Sequence, residues 1–239
     1  METEFKEKLQ VWLEDVATTC DKYAREIDRD FYPFQSKVFQ NPELLIIGAN
    51  PGNEGNYKSF IEKNKRGRLA SELSNCGVNG ENAYIAYKDD PKWKINKPIL
   101  KMFETPKMRT ILENAVIMNV IYFNTKKVVD LNKFSIGNQI IDYCKAKTIE
   151  LICEIVKPKA VLLLGYNDAP KWLGINVSTT KDSILRTKDD KSALIMKVDK
   201  FGIPWYAIHH PSGRNNISFN TGENLSFKKA EFEKIFGAI

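Results

Sequence analysis

Three stretches of this chain are almost wholly apolar and then stop at a turn: Pro42–Gly48 (PELLIIG), Ala115–Phe123 (AVIMNVIYF, broken only by Asn119) and Lys159–Gly165 (KAVLLLG). A strand with one face in water alternates polar and apolar residues. These do not, so both faces must be covered, as in the interior of a parallel sheet. Helical patterns fall between them. Phe5, Leu9, Leu13, Val16, Cys20, Tyr23 and Ile27 recur at steps of three and four and predict an amphipathic helix over 3–28. Similar patterns predict helices over 98–114, 136–156 and 226–236, and Trp205–Ile208 reads as a fourth strand. Strands alternating with helices predict an α/β fold, a three-layer α/β/α sandwich around a central, mainly parallel four-stranded sheet. Residues 178–199 would add an antiparallel excursion at its edge. The polar stretch 53–97 reads as an irregular insertion, and the whole of 1–239 as a single domain.

Composition narrows the class. With 43% hydrophobic and 28% charged residues the chain can bury a continuous core. No apolar run approaches the roughly 20 residues that span a bilayer. The charged start, METEFKEKLQVW, does not resemble a secretory signal. Cys20, Cys76, Cys144 and Cys153 are scattered, which argues against a disulfide framework and against a local metal cluster. We therefore expect reduced thiols in a cytoplasmic, monomeric protein with no metal, no cofactor and no membrane partner. A net charge of +6 is compatible with a nucleic-acid partner without requiring one.

Ligand sites in parallel sheets form beyond the carboxyl ends of the strands. Three polar motifs lie there: Gly48-Ala49-Asn50-Pro51-Gly52, Asn119 with Asn124 downstream, and His209-His210-Pro211-Ser212-Gly213-Arg214-Asn215. The last holds both histidines of the chain. Each alone has a bland explanation, as a tight turn or a satisfied buried amide. Together, in this order, they resemble the uracil-DNA glycosylase superfamily. GANPG looks like the Gly-x-Asn-Pro-Gly of its mismatch-specific and single-strand-selective monofunctional branches. HPSGRN is similar to the His-Pro-Ser motif that closes the site. VIMNVIYF resembles the strand whose asparagine reads the base, and PKAVLLLGYNDAPKWLG resembles a strand, turn and helix of the family-4-like branch.

The resemblance implies hydrolysis of the N-glycosidic bond of uracil or a related damaged base in DNA, by a monofunctional base-excision enzyme. Asn50 would position the water, since an amide cannot serve as an ordinary general base. His210 would stabilise the departing base anion, and His209 would be structural. Asn119 would read the base, with Gly48 and Ala49 lining its pocket. Tyr57 and Phe60 are candidates for stacking on the base, both earlier than the family's usual phenylalanine. Pro51, Gly52, Pro211, Ser212 and Gly213 would face DNA. Arg214 would either fill the space vacated by the base or pair with phosphate. The iron–sulfur branches' cysteine spacing does not occur here. Two other readings compete: an inactive DNA- or nucleotide-binding relative, and a phosphate-loop nucleotide hydrolase. The second lacks the Walker Lys-Ser/Thr ending.

Overall fold

The computed structural model describes residues 2–52, 55–73, 82–90, 92–178, 181–212 and 214–237, with side chains for all of these but 128, 168 and 214–216. Helix α1 (Glu2–Ile27) buries Phe5, Leu9, Trp12, Val16, Cys20 and Ala24 along one stripe, as its spacing predicts. Strand β1 (Leu45–Gly48) follows. Segment 53–97, expected to be irregular, carries helices α2 (Tyr57–Asn64), α3 (Ala70–Leu73) and α4 (Ala83–Ala86). Asparagine caps account for two of them: Asn56 accepts from the Ser59 amide, and Asn82 from the Tyr84 and Ile85 amides. The same Asn-rich composition that reads as loop was helix punctuation.

The helix expected over 98–114 is two helices, α5 (Asn96–Met102) and α6 (Pro106–Glu113). The break comes at Thr105, which sits extended at ψ 154° because the ring of Pro106 disfavours helical backbone before it. Strand β2 spans only Val116–Asn119 of the long apolar run. Helix α7 (Gly137–Glu150) continues into a π-helical turn, Leu151–Val156, ahead of β3 (Val161–Leu164). Helix α8 (Asp168–Trp172), strands β4 (Ser183–Arg186), β5 (Ala193–Lys200) and β6 (Ile203–Ile208), a 3₁₀ turn (Arg214–Asn220) and helix α9 (Gly222–Phe236) complete the chain.

The sheet has six strands in the order β2-β1-β3-β6-β5-β4, not four. β2, β1, β3 and β6 are parallel, and β5 and β4 extend the sheet antiparallel. The excursion expected at the edge is thus part of the sheet itself. Its hairpin turn is the pair Phe201 and Gly202, both at positive φ (58° and 71°), which matches the twist of the strands it joins. The apolar half of β5, Ala193–Met196, is buried, whereas Lys197 and Asp199 are not.

Side chains alternate across the sheet, and each face has its own core. Leu45, Ile47, Met118, Leu163 and Ala207 pack beneath α1 and α7. Ile46, Ile117, Leu162, Tyr206 and Ile208 pack against Met102, Phe103, Leu112, Phe232 and Phe236 of α5, α6 and α9. The outer edge of β2 is covered by residues 31–36: Phe31 and Phe34 bridge to Phe123 and Met118, and Gln35 donates to the Ile117 carbonyl. No helix among the described residues is long and apolar enough to cross a membrane.

Candidate functional site

The parallel strands share a direction, so the turns after β1, β2, β3 and β6 all leave the sheet at one edge. Gly48 ends β1 in register with Asn119, the last residue of β2. The fit is so close that a Cβ on Gly48 would lie 2.8 Å from Asn119 Oδ1. Asn119 is 3% exposed, and its backbone N–H donates to the Pro33 carbonyl at 3.0 Å. Its side-chain nitrogen Nδ2 is buried and has no hydrogen-bond partner among the described residues. An amide donor in that state carries a desolvation cost of about 1–3 kcal/mol until something accepts from it.

Asn50 lies two residues beyond β1. Its Nδ2 donates to the Thr125 carbonyl at 2.5 Å and to Thr125 Oγ1 at 3.0 Å. A carbonyl can only accept, so the amide's orientation is set and Oδ1 is the atom left for a ligand or a water. The chain leaving β1 then passes over the chain leaving β2 a second time. The Asp30 N–H donates to the Gly55 carbonyl at 3.0 Å, and the Asn124 N–H donates to the Asp30 carbonyl at 2.7 Å. A Cβ on Gly55 would meet Asn124 Nδ2 at 2.8 Å. Asn124 is 2% exposed and its Oδ1 is buried without a partner among the described residues. Sequence reasoning named Asn124 without giving it a role; an amide just past an apolar strand was the signal. Ala49 and Pro51 are half-buried and Gly52 is exposed on this same loop.

At the other side of the edge, His210 follows β6. Gly165, at φ 116° after β3, comes close enough that a Cβ there would be 3.9 Å from the His210 Cβ. The Ser212 N–H donates to His210 Nδ1 at 3.3 Å, with Ser212 Oγ 3.0 Å from the same nitrogen. With Nδ1 accepting, the neutral ring carries its proton on Nε2. His210 therefore presents an N–H donor, the form that charge stabilisation needs. Pro211 is buried and Ser212 exposed. Gly213 and the side chain of Arg214 lie outside the described residues.

His209 sits differently. Its ring stacks on Phe219 at 4.0 Å and lies 4.3 Å from Tyr166. Burial, and secondarily the nearby Lys228, push its pKa down to about 4. It is a neutral packing group. The two adjacent histidines occupy separate surroundings, one enclosed in rings and one on the turn.

Tyr57 and Phe60 do not join this edge as open rings. Tyr57 is fully buried, stacked on Phe60 at 5.6 Å, with its hydroxyl 2.5 Å from Asp21 Oδ1. The Arg68 guanidinium lies 4.0 Å from the Phe60 ring centre. That guanidinium also lies 4.1 Å from the Tyr32 ring and pairs with Asp30 at 2.5 Å, its side chain 9% exposed. These contacts link residues 36 and 38 positions apart, which sequence patterning cannot connect. A cleft of about 530 Å³ lies between α1 and residues 66–70, lined by Asp21, Lys22, Arg66 and Leu69, and contains none of the expected site residues.

The structure therefore sets Gly48 against Asn119 and, two residues on, Asn50 against Thr125, and brings His210, Ser212 and Gly165 together farther along the same edge. β2 and β6 are three strand spacings apart, about 14 Å between backbones. Among the described residues no group of three His, Cys, Asp or Glu side chains could hold a metal ion. No family model matches the chain, and no curated protein matches it either.

Proposed function

We propose that this chain is a monofunctional DNA glycosylase that hydrolyses the N-glycosidic bond of uracil or a related damaged base, acting as a cytoplasmic monomer on DNA. One observation carries the reading: Asn119, almost wholly buried at the carboxyl edge, keeps an amide donor without a partner among the described residues. A fold retains such a group where a guest supplies the acceptor. The O4 carbonyl of an extruded uracil offers one. Cytosine presents an amino donor there instead and would leave two donors opposed.

The chemistry follows from the same atoms. Asn50, its nitrogen held by Thr125, directs Oδ1 at a water and orients it towards C1′ of the sugar. The C1′–N bond breaks as water oxygen bonds to C1′, and the electron pair leaves with the base. The proton that the bound water sheds is balanced by one taken up on the base anion, so the products are the neutral free base and a sugar with a hydroxyl at C1′. His210, protonated on Nε2, donates to the developing oxyanion of that base. Ser212 and the turn amides contact a flanking phosphate. Without a carboxylate at position 50 there is no strong base, so rate depends on orientation and on stabilising charge as it forms.

The alternative, a DNA-binding relative without activity, draws support from Tyr57, fully buried, and from Phe60, half-buried with its ring stacked on Tyr57 and covered by Arg68, where a stacking platform was expected. Abasic-site formation on a panel of oligonucleotides, each with one damaged base, separates the two. The expected outcome is base release by the intact chain and a loss of about 10²–10³ in rate for His210→Ala. DNA binding without release on any substrate, at high enzyme concentration, favours the alternative.

A further inference from the structure

Helix α9 places a lysine where its periodicity calls for an apolar residue. Lys228, Phe232 and Phe236 share one stripe at steps of four, and all three are fully buried. A buried lysine needs a partner, and here Nζ donates to Asn220 Oδ1. Asn220 is itself 2% exposed, and its Nδ2 donates to the His210 backbone carbonyl at 3.4 Å. One amide thus links the lysine to the turn that carries His210. While it is protonated Nζ can only donate, and it then turns Oδ1 towards itself and Nδ2 towards the histidine.

We propose that Lys228 is a positioning residue for the His209–His210 turn. Through Asn220 it orients the backbone of His210, and it places an enclosed positive charge behind the edge at which the base anion would form. This rests on the glycosylase reading for its catalytic meaning, but its structural content stands apart. His209 is faced by Tyr166 beyond β3, by Phe219 of the 3₁₀ turn, by the Ala193 carbonyl of β5 and by Lys228 of α9. Of these, Lys228 is the one that bears charge at neutral pH. Among the described residues the ion pairs of α9, Lys188 with Glu223, Lys229 with Glu104 and Lys234 with Glu231, lie at the surface. Burial holds the Lys228 amine down at about 7, so its charge is present below neutrality and fades above it.

The test uses the full chain and its two histidines, which give two imidazole signal sets in nitrogen-correlated spectra. In the wild type we expect His209 to stay neutral down to about pH 4, and His210 to show the Nε2–H tautomer. Lys228→Met should raise the His209 midpoint above about 4, with burial, the larger cause, still holding it below the ordinary imidazole value of about 6.5, and should mix the His210 tautomers. Asn220→Ala keeps the charge and breaks the link, so it should mix the His210 tautomers and leave His209 unmoved. It also serves if Lys228→Met does not fold. In base-release assays Lys228→Met should lower kcat about tenfold with KM within twofold, and should flatten the wild-type decline in rate above pH 7. Unchanged imidazole titrations and tautomers in either folded variant overturn the proposal. Imidazole changes as expected, in a protein whose wild type releases no base, would uphold the positioning role and reject the glycosylase reading.

Discussion

At the scale of single residues, the site depends on one missing atom. Gly48 is the residue against which Asn119 can close, because any side chain there would sit 2.8 Å from its Oδ1. Real Cβ contacts do not come so near, and the neighbour is a buried amide at a strand end with little room to give. Gly48→Ala should therefore push the Asn119 carboxamide out of place. We expect a stability loss of about 1–3 kcal/mol, as for overpacked cores, together with a loss of base release well beyond what unfolding explains. Thermal melts and release rates on the same samples check this. Wild-type rates in a folded Gly48→Ala chain would remove Asn119 from the mechanism. The glycine and both asparagines were legible as candidates because their motifs fell together at the carboxyl ends of expected parallel strands, although Gly-x-Asn-Pro-Gly taken alone reads as a turn. The orientation of Asn50 was not legible. It depends on Thr125, 75 positions away.

At the scale of elements, local signals worked where a run was long and failed where a boundary was set by one residue. Helix α1 was readable over its whole length because 26 residues give its stripe many repeats. The break before Pro106 was readable in principle from the proline alone. The helix expected over 136–156 does end at Val156, but the widening of Leu151–Val156 into a π-helical turn was not readable; that turn closes at Lys157, which stands in the left-handed region at φ 51° with its N–H donating to the Ile152 carbonyl. Left-handed backbone disfavours residues with a Cβ and suits glycine. Lys157→Gly should then stabilise the protein by about 0.5–1 kcal/mol, seen as a higher urea midpoint with an unchanged slope. A lower midpoint would mean that the lysine side chain contributes more there than its backbone costs.

At the scale of the whole molecule, buried bases decide how stability depends on pH. His209 is held down at about 4 against about 6.5 in an unfolded chain, and Lys228 at about 7 against 10.5. In both windows the unfolded state binds more protons than the fold, so stability rises with pH from about 4 to 6.5 and again from about 7 to 10.5. Glu72, held at about 2 mainly by Arg66, adds stability above its ordinary value of 4.5 and loses it as pH falls towards 2. Burial raises Tyr57, Tyr84, Tyr122 and Tyr166, which keep their protons longer in the fold and reverse the trend above about pH 10. Melting temperatures should thus peak near pH 9 to 10; a maximum below pH 7 would contradict the burial of Lys228. The sequence by itself determined that apolar runs would be parallel strands with covered faces, and that three polar motifs would lie along their carboxyl edge, because periodicity and strand direction are local and additive. Only the tertiary structure decided that the sheet has six strands, that Tyr57 is buried and stacked on Phe60 beneath Arg68, and that a lysine sits behind the histidines. Those outcomes depend on contacts between residues far apart in the chain, whose energies are settled by what else is buried beside them.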